Sequence, residues 1–278
     1  MPTETIIKKL YGGEVEVVFY PNSHRYKVNG EWVKSVTGAT GIIDKPALKF
    51  WACGCMRDEL IAQLESGNFN EITIKDATSA FTRVSKAATD AGSLVHDFCE
   101  AFAKYKMGEG EKPSLPTTES LVDKEGNPLD LSEEESEEII NNAVAGCGAF
   151  LKWVIEYEVE FVAVERFCYS RKHNFVGTLD LLYRSKKIGD FLILADYKTS
   201  KGFYPFEMGM QTGGYKIAYE EETLDVVGLR QIIRFDKVTG DFEVHDCPDD
   251  EEDEVAFLNA LQLKKRQDEL DKLYRKKK

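Results

Sequence analysis

Three charged residues end two apolar segments, and their types and spacing suggest chemistry. Asp180 closes the motif GTLD, and fifteen residues later the motif ADYK places Asp196 and Lys198 at the end of the next apolar run. Residues i and i+2 of a strand point to one face, so a hairpin would bring Asp180 beside that pair. Unpaired buried carboxylates are costly, and a hard cation such as Mg²⁺ or Mn²⁺ would resolve the conflict. The triplet alone favours an ordinary salt bridge on a hairpin.

Four further polar residues interrupt apolar patterns and shift the balance towards a site. Glu165 lies within VAVERF of the preceding segment, and His96 lies within the apolar pattern AGSLVHDF. Gln211 and Tyr215 are four residues apart on a predicted helix, so they project from one face. Taken singly, His96 could be a core histidine with satisfied hydrogen bonds. Gln211 and Tyr215 could be ordinary helix surface. In this order and spacing, the set is hard to explain as packing alone.

The elements that must position these residues follow from periodicity and turn signals. Before the site we predict a β-hairpin over 14–20 and 24–36, helices over about 46–65 and 77–105, a mobile loop over 107–131 and a helix from Ser132 to about 157. After it we predict strands over 159–170, 174–184 and 191–198, a helix over about 205–221, strands over 225–235 and 241–246, and a charged helix from 249. Asn29-Gly30 is a strong hairpin signal, and Ser132 with Glu135 forms a capping box. This order predicts an α/β (α+β) fold in one core.

The charge of the chain excludes a broad nucleic-acid-coating surface. The 278 residues include 36 Lys and Arg against 49 Asp and Glu, which gives a formal net charge of −13. Residues 171–201 are the exception, with seven Lys and Arg against three Asp. This stretch is predicted to be a local phosphate track that includes Lys186, Lys187 and Lys201. Within it, Thr199 and Ser200 could donate hydrogen bonds to phosphate.

The start of the chain and its cysteines predict the cell compartment. The start MPTETIIKK has no apolar segment, and no eighteen apolar residues run together, so we expect neither a secreted protein nor a membrane protein. Six cysteines without framework spacing fit a reducing compartment, and we expect the cytoplasm of a bacterium or of a phage-infected host. Cys53 and Cys55 are predicted to be buried thiols rather than metal ligands.

Five motifs in series resemble one nuclease family. The order AGSLVHDF, VERF, GTLD, ADYKTSKG and QTGGY is similar to that of the PD-(D/E)XK nucleases of the RecB-like branch. That branch includes phage and mitochondrial genome-maintenance exonucleases and CRISPR-associated spacer-acquisition nucleases. The resemblance spans about residues 92–219, and YKVNGEWVKSVT extends it towards residue 20. Leu179 stands where the family signature has proline, which is ordinary for this branch.

The resemblance implies a fold, a cofactor and a set of ligands. The fold would be a restriction-endonuclease-like core, a central mixed sheet flanked by helices, with an N-terminal hairpin and helical region. The cofactor would be Mg²⁺ or Mn²⁺. Asp180 and Asp196 would be metal ligands, joined by the backbone carbonyl of Tyr197 and by His96.

The remaining matched positions would act on water and substrate. Lys198 would orient or help to deprotonate the attacking water, and Glu165 would contact metal or water. Gln211 and Tyr215 match a Gln-x-x-x-Tyr motif that positions substrate phosphate. No iron–sulfur cluster is expected, because only Cys247 follows that motif.

The domain organisation and function follow as expectations. Residues 1–75 would form the N-terminal region, 76–248 the nuclease core with its flexible loop, and 249–278 a C-terminal charged helix. The leading function is a metal-dependent DNA exonuclease acting on single strands or ends, with replication or recombination proteins as candidate partners and no membrane. The alternatives are a structure-selective endonuclease or CRISPR-adaptation accessory nuclease, and a non-catalytic DNA-binding scaffold. The sequence leaves digestion polarity and oligomeric state open.

Overall fold

A computed structural model describes residues 5–67, 71–123 and 126–275, without the side chains of residues 71–73 and 275. Its strands are β1 (Ile6–Leu10), β2 (Val15–Tyr20), β3 (Arg25–Val28), β4 (Glu31–Ser35), β5 (Val159–Ser170), β6 (Phe175–Ser185), β7 (Gly189–Lys198), β8 (Val227–Phe235) and β9 (Phe242–Cys247). Its α-helices are α1 (Val36–Thr40), α2 (Pro46–Glu65), α3 (Glu71–Lys106), α4 (Glu133–Glu156), α5 (Pro205–Thr223) and α6 (Asp250–Arg275). No helix in these ranges combines the length and apolarity needed to cross a membrane.

The strands join into one mixed sheet with β6 at its centre. The order is β1-β2-β3-β4-β6-β7-β8-β9, and β5 pairs along the whole opposite edge of β6. The β4–β6 and β7–β8 pairs are parallel, whereas the other pairs are antiparallel. Helices cover both faces of this sheet, which confirms the predicted fold class.

One edge of β6 is shared by two strands. β4 pairs with its first residues, where Ser35 lies opposite Val176, and β7 pairs with its second half, from Leu181 opposite Ala195 onwards. Residues 177–180 lie between the two ladders. Because β4 runs parallel to β6 and β7 runs antiparallel to it, the carboxyl ends of β4 and β7 meet at this interval.

Apolar side chains fill both sides of the sheet. α3 and α4 pack on one face, in a cluster that includes the fully buried Trp153. α1, α5 and α6 pack on the other face, around Phe257. A third cluster, including Val17 and Tyr26, joins the inner face of β2 and β3 to β5 and β6. The N-terminal strands are therefore held on the core through apolar packing as well as through β4.

Local sequence signals account for most element boundaries. The capping box opens α4 as predicted, with the Ser132 hydroxyl accepting from the Glu135 N–H. Pro46 and Pro205 occupy the first turns of α2 and α5, where a missing N–H is tolerated. Some elements differ from the prediction. α3 begins at Glu71 rather than near residue 77, α1 was not predicted, and β1, which has no alternating pattern, forms by pairing with β2.

Two further expectations need correction or refinement. Cys53 is exposed and Cys55 only half-buried, so the prediction of buried thiols was wrong there. The reason is that α2 packs against α3, away from the sheet. The segment 107–131 holds a short 3-10 turn and a bridge between Val122 and Pro128, and its Leu121 is buried against the core.

The acidic start of α6 is partly an internal contact. Arg230 is fully buried and donates to Asp250 at 2.5 Å and to Asp253 at 2.8 Å. A buried cation needs such partners, because losing one leaves an uncompensated charge. The basic residues 276–278, predicted to end this helix, lie outside the described residues.

Candidate active site

Three carboxylates form one row across β5, β6 and β7. Val164 pairs with Leu181 and Arg166 with Leu179, which sets Glu165 opposite Asp180. The β6–β7 ladder ends at the pair Leu181–Ala195, and Asp180 and Asp196 are the next residue of each strand beyond it. Like charges directly opposite each other destabilise a sheet. This row, at the end of the gap in β6, therefore requires protons or a cation.

Asp180 is the central member of the row. Its Oδ2 accepts the backbone N–H of Tyr197 at 2.8 Å, which ties β7 to β6 just where their ladder ends. His96 of α3 places its Nδ1 3.9 Å from the same oxygen. Burial raises the pKa of Asp180, while Lys198 and the Tyr197 N–H oppose that shift.

Asp196 and Lys198 lie on the same face of β7, as predicted from their spacing. Asp196 is 1% exposed, and the Lys198 ammonium donates to its Oδ2. Burial raises the pKa of Asp196 to about 6 despite the lysine, and the charge of Asp180 contributes to the shift. For Lys198, burial alone would lower the pKa, but the charges of Asp196 and Asp180 outweigh it and the pKa is raised. The lysine is therefore an ammonium at neutral pH.

Gln211 and Tyr215 of α5 hold the other side of this carboxylate. The Gln211 Nε2 donates to Asp196 Oδ1 at 2.9 Å and to the Tyr215 hydroxyl at 3.2 Å. Tyr215 packs so close to β6 that a Cβ on Gly177 would lie 2.7 Å from its ring. A residue without a side chain is thus required at Gly177. Asp196 is fixed from both oxygens, by Lys198 and by Gln211.

His96 is a neutral base in this setting. Burial, followed by the nearby Lys198 charge, lowers its pKa to about 4. A neutral imidazole offers a lone pair, and this is the form that ligates metals. α3 brings it to the site because Gly92, one turn earlier, lets the helix approach Thr199, whose Oγ1 would be 2.8 Å from a Cβ at that position.

Glu165 combines a strained backbone with a proton-binding carboxyl. Its φ of 47° lies in the left-handed region, which is uncommon for residues other than glycine. Burial, then the charge of Asp180, raises its pKa to about 9. Strain of this kind costs on the order of 1–3 kcal/mol and is concentrated at functional sites.

The chemistry of this donor set fits a hard divalent cation, although the side chains do not form a finished cage. Within the described ranges, no three His, Cys, Asp or Glu side chains are grouped as a metal-binding cluster. The groups form a row rather than a closed cage, with Lys198 on Asp196 and the Tyr197 N–H on Asp180. Their convergence on one ion stays a prediction. The pKa values of these buried carboxylates are raised because their negative charges are not fully compensated. An ion that binds carboxylates, such as Mg²⁺, would compensate them. Asp180, Asp196, Glu165 and His96 are the residues that would hold it.

The residues that follow β7 have separate surroundings. Thr199 lies against α3 at Gly92, and the Ser200 hydroxyl donates to the Gly202 carbonyl. Lys201 is exposed. Burial is the main cause of the lowered pKa of the half-buried Lys237, and the charge of Lys201 lowers it further. The side chain of Tyr197 is buried in the core beneath the site.

Lys186 and Lys187 are not brought to the site. They lie in the turn that joins β6 to β7, beyond the Ser185–Gly189 pair, and Lys187 donates to the Glu156 carbonyl. Five to six residues of strand separate this turn from Asp180, a distance of roughly 17–20 Å. The predicted continuous phosphate track is thus split between the two ends of the hairpin.

Two residues near the row were missed by the sequence analysis. The Tyr26 hydroxyl is 3.0 Å from Thr178 Oγ1, and burial, above all, raises its pKa to about 12, with smaller contributions from Glu165 and Asp180. The alternation of β3 predicts that Tyr26 points inward, but not which strand it meets. Lys237 donates to the Ala88 carbonyl of α3 at 2.7 Å. No local signal in its turn distinguishes it from a surface lysine.

The central strand aspartate, the Asp-x-Lys strand beside it and the helices on both faces together form the core of a nuclease fold. The family model of the PD-(D/E)XK nuclease superfamily matches residues 75–276, which is more than half of the chain. The chain belongs to this superfamily. It is accordingly a nuclease hydrolase with DNA as the implied substrate, and Mg²⁺ or Mn²⁺ are typical cofactors of such enzymes. A search of curated proteins found no significant match.

Proposed function

We propose that the protein is a Mg²⁺- or Mn²⁺-dependent DNA exonuclease of the RecB-like branch. It would act on single strands or DNA ends in replication, recombination or repair. The observation that carries this proposal is the bond of Lys198 to Asp196, a carboxylate that Gln211 fixes and whose pKa the charge of Asp180 raises after burial. The motif resemblance supports the branch and the choice of exonuclease.

The chain's own residues divide the work of phosphodiester hydrolysis. When bound, a divalent cation would supply positive charge to the scissile phosphate and would acidify water. Asp180, Asp196 and Glu165 would hold that cation together with the neutral imidazole of His96. Lys198 supplies a fixed ammonium where negative charge develops in the transition state. Gln211 keeps Asp196 from rotating as the substrate enters.

The cysteines support the proposed compartment. The six cysteines are free thiols, which fits the proposed cytoplasm of a bacterium or phage-infected host.

Labelled oligonucleotides test the proposal. Single- and double-stranded DNA labelled at the 5′ or 3′ end is incubated with Mg²⁺, with Mn²⁺ or with EDTA, beside circular single-stranded DNA. We expect end-dependent shortening of linear DNA with either metal, no reaction in EDTA, and intact circles. Cleaved circles would make the protein an endonuclease. Inertness towards every substrate with both metals would favour a non-catalytic scaffold.

A further inference from the structure

The outer face of the N-terminal strands carries a cluster of aromatic and basic side chains. The register places Tyr20 opposite Arg25 and Lys27 opposite Trp32, so all four project from one face of β2, β3 and β4. The opposite face of the same strands is buried in the core. The cluster therefore faces solvent, and we call these four residues the aromatic–basic patch.

The patch is built around the ring of Trp32. Trp32 is 49% exposed as a residue, and the centroid of the Tyr20 ring lies 5.1 Å from that of its own ring. The Arg25 guanidinium is 4.1 Å from the Trp32 ring centroid and the Lys27 ammonium 4.9 Å from it. Such cation–π contacts orient the rings without enclosing them. A large aromatic that is half exposed, with fixed orientation, is a stacking surface.

The charge of the patch is opposite to that of the molecule. Lys9 lies on the same face, opposite Glu16 across β1 and β2. Within the described ranges, Arg25 and Lys27 make no ion pair with a carboxylate. On a chain of net charge −13, uncompensated cations beside aromatic rings select a polyanion that has flat, unpaired rings of its own.

We propose that the aromatic–basic patch binds single-stranded DNA outside the active site, with bases stacked on Trp32 and Tyr20 and phosphates near Arg25 and Lys27. This inference rests on the proposed function, because it identifies a holding site for the substrate of that nuclease. Single strands are selected since their bases are free to stack, whereas a duplex offers only its phosphates.

The distance from the patch to the row of carboxylates makes the proposal specific. Lys34 lies level with Phe175, so Trp32 and Asp180 are offset by seven residues, roughly 23 Å along the strands. A strand that occupies both sites must cover that span. Each stacked nucleotide covers about 3.4 Å. A trinucleotide is therefore too short to occupy both sites, whereas a 20-mer is long enough.

Binding without cleavage tests the patch directly. Anisotropy of fluorescein-labelled dT20 is measured in EDTA with wild type, Trp32→Leu, Trp32→Phe and, as matched control, Lys8→Ala on the opposite face of β1. We expect Trp32→Leu to weaken binding by about 5-fold or more, Trp32→Phe to retain most of the affinity, and Lys8→Ala to match wild type. Equal affinity of Trp32→Leu and wild type, with unchanged melting temperature, would overturn the proposal. Equal or tighter binding of U20 would overturn the choice of DNA.

Salt dependence and substrate length separate this inference from the proposed function. Arg25→Ala combined with Lys27→Ala should flatten the slope of log affinity against log salt by about 1.4, which is about 0.7 for each phosphate contact. With Mg²⁺, the KM of wild type for dT20 should be at least about 5-fold lower than for dT3, and Trp32→Leu should bring the two values together. Cleavage with the same length dependence in both proteins would overturn the proposal that the patch binds DNA and would leave the proposed nuclease function unaffected. No cleavage of either length would overturn the nuclease, while the EDTA titration still decides the patch.

Discussion

Glu165 lies directly opposite Asp180 in the β5–β6 ladder, and its backbone there adopts a φ of 47°. Two carboxylates facing each other across a sheet repel unless one holds a proton or both share a cation. Burial, and then Asp180, accordingly raises the pKa of Glu165 to about 9. The metal-free protein therefore keeps a proton where a cation would otherwise be held.

The stability of the metal-free protein should fall as pH rises. The pKa of Glu165 is raised from 4.5 to about 9 and that of Asp196 from 3.8 to about 6, so the folded state holds protons that the unfolded chain has released. The free energy of unfolding then decreases with pH between these limits. In EDTA we expect the melting temperature to drop from pH 5 to pH 8.5, by about 2–4 °C for each kcal/mol lost. Added Mn²⁺ should raise it more at pH 8.5 than at pH 5.

A single substitution isolates the contribution of Glu165. Glu165→Gln removes the titrating group and should make the decline shallower, whereas Glu160→Gln, an exposed glutamate of the same strand, should leave the slope unchanged. Identical slopes for wild type and Glu165→Gln would contradict the assignment.

Lys198→Ala should slow cleavage strongly without abolishing DNA binding. The ammonium contacts Asp196 and supplies charge in the transition state, and removal of one such group lowers kcat by about 10²–10³-fold. Lys187→Ala, in the turn at the far end of the hairpin, is the matched control and should retain wild-type kcat. The measurement is the single-turnover rate on end-labelled DNA. A Lys198→Ala rate within threefold of wild type would rule out the assigned role.

Gln211→Ala should reduce both activity and metal affinity. Its amide fixes Asp196 Oδ1, and loss of a group that orients a metal ligand typically costs about 10–100-fold. Gln211→Glu should also lower activity, because it replaces the donor to Asp196 with a like charge. Mg²⁺ titrations of the cleavage rate check both, with Gln267→Ala on the surface of α6 as control. An unchanged Mg²⁺ dependence in both variants would refute the role of Gln211.

Gly92→Ala should disturb the contact of α3 with the end of β7, and a second substitution should repair it. The new Cβ would lie 2.8 Å from Thr199 Oγ1, an overlap that typically costs about 1–3 kcal/mol. Thr199→Ala removes that oxygen, so Gly92→Ala with Thr199→Ala should recover the stability lost by Gly92→Ala. Urea unfolding of the four proteins measures the coupling. Strict additivity would exclude this contact as the cause.

The parts of the site that could be predicted from the sequence depend on local rules. Strand alternation places Asp196 and Lys198 on one face, and helical spacing places Gln211 and Tyr215 together. The hairpin brings Asp180 level with Asp196, since consecutive apolar strands with a short turn pair antiparallel. These relationships need no knowledge of distant contacts.

The parts that could not be predicted depend on tertiary distance. Lys186 and Lys187 are close to Asp180 in sequence, yet an extended strand moves them to the opposite end of the sheet. Tyr26 reaches Thr178 only because β4 joins β6, a pairing of two residues that has no sequence signal. The contact of Lys237 with α3 could not be predicted either, because this residue lies in a turn that is distant from α3 in the sequence.

The end of the β6–β7 ladder leaves one backbone donor for a side chain. The last pair of that ladder is Leu181 with Ala195, and two residues further on the Tyr197 N–H donates to Asp180 Oδ2. This bond lowers the pKa of Asp180 against the effect of burial. A ladder extended past Ala195 would give the same N–H a backbone acceptor, so strand length tunes the acidity of this aspartate without any change of an acidic residue.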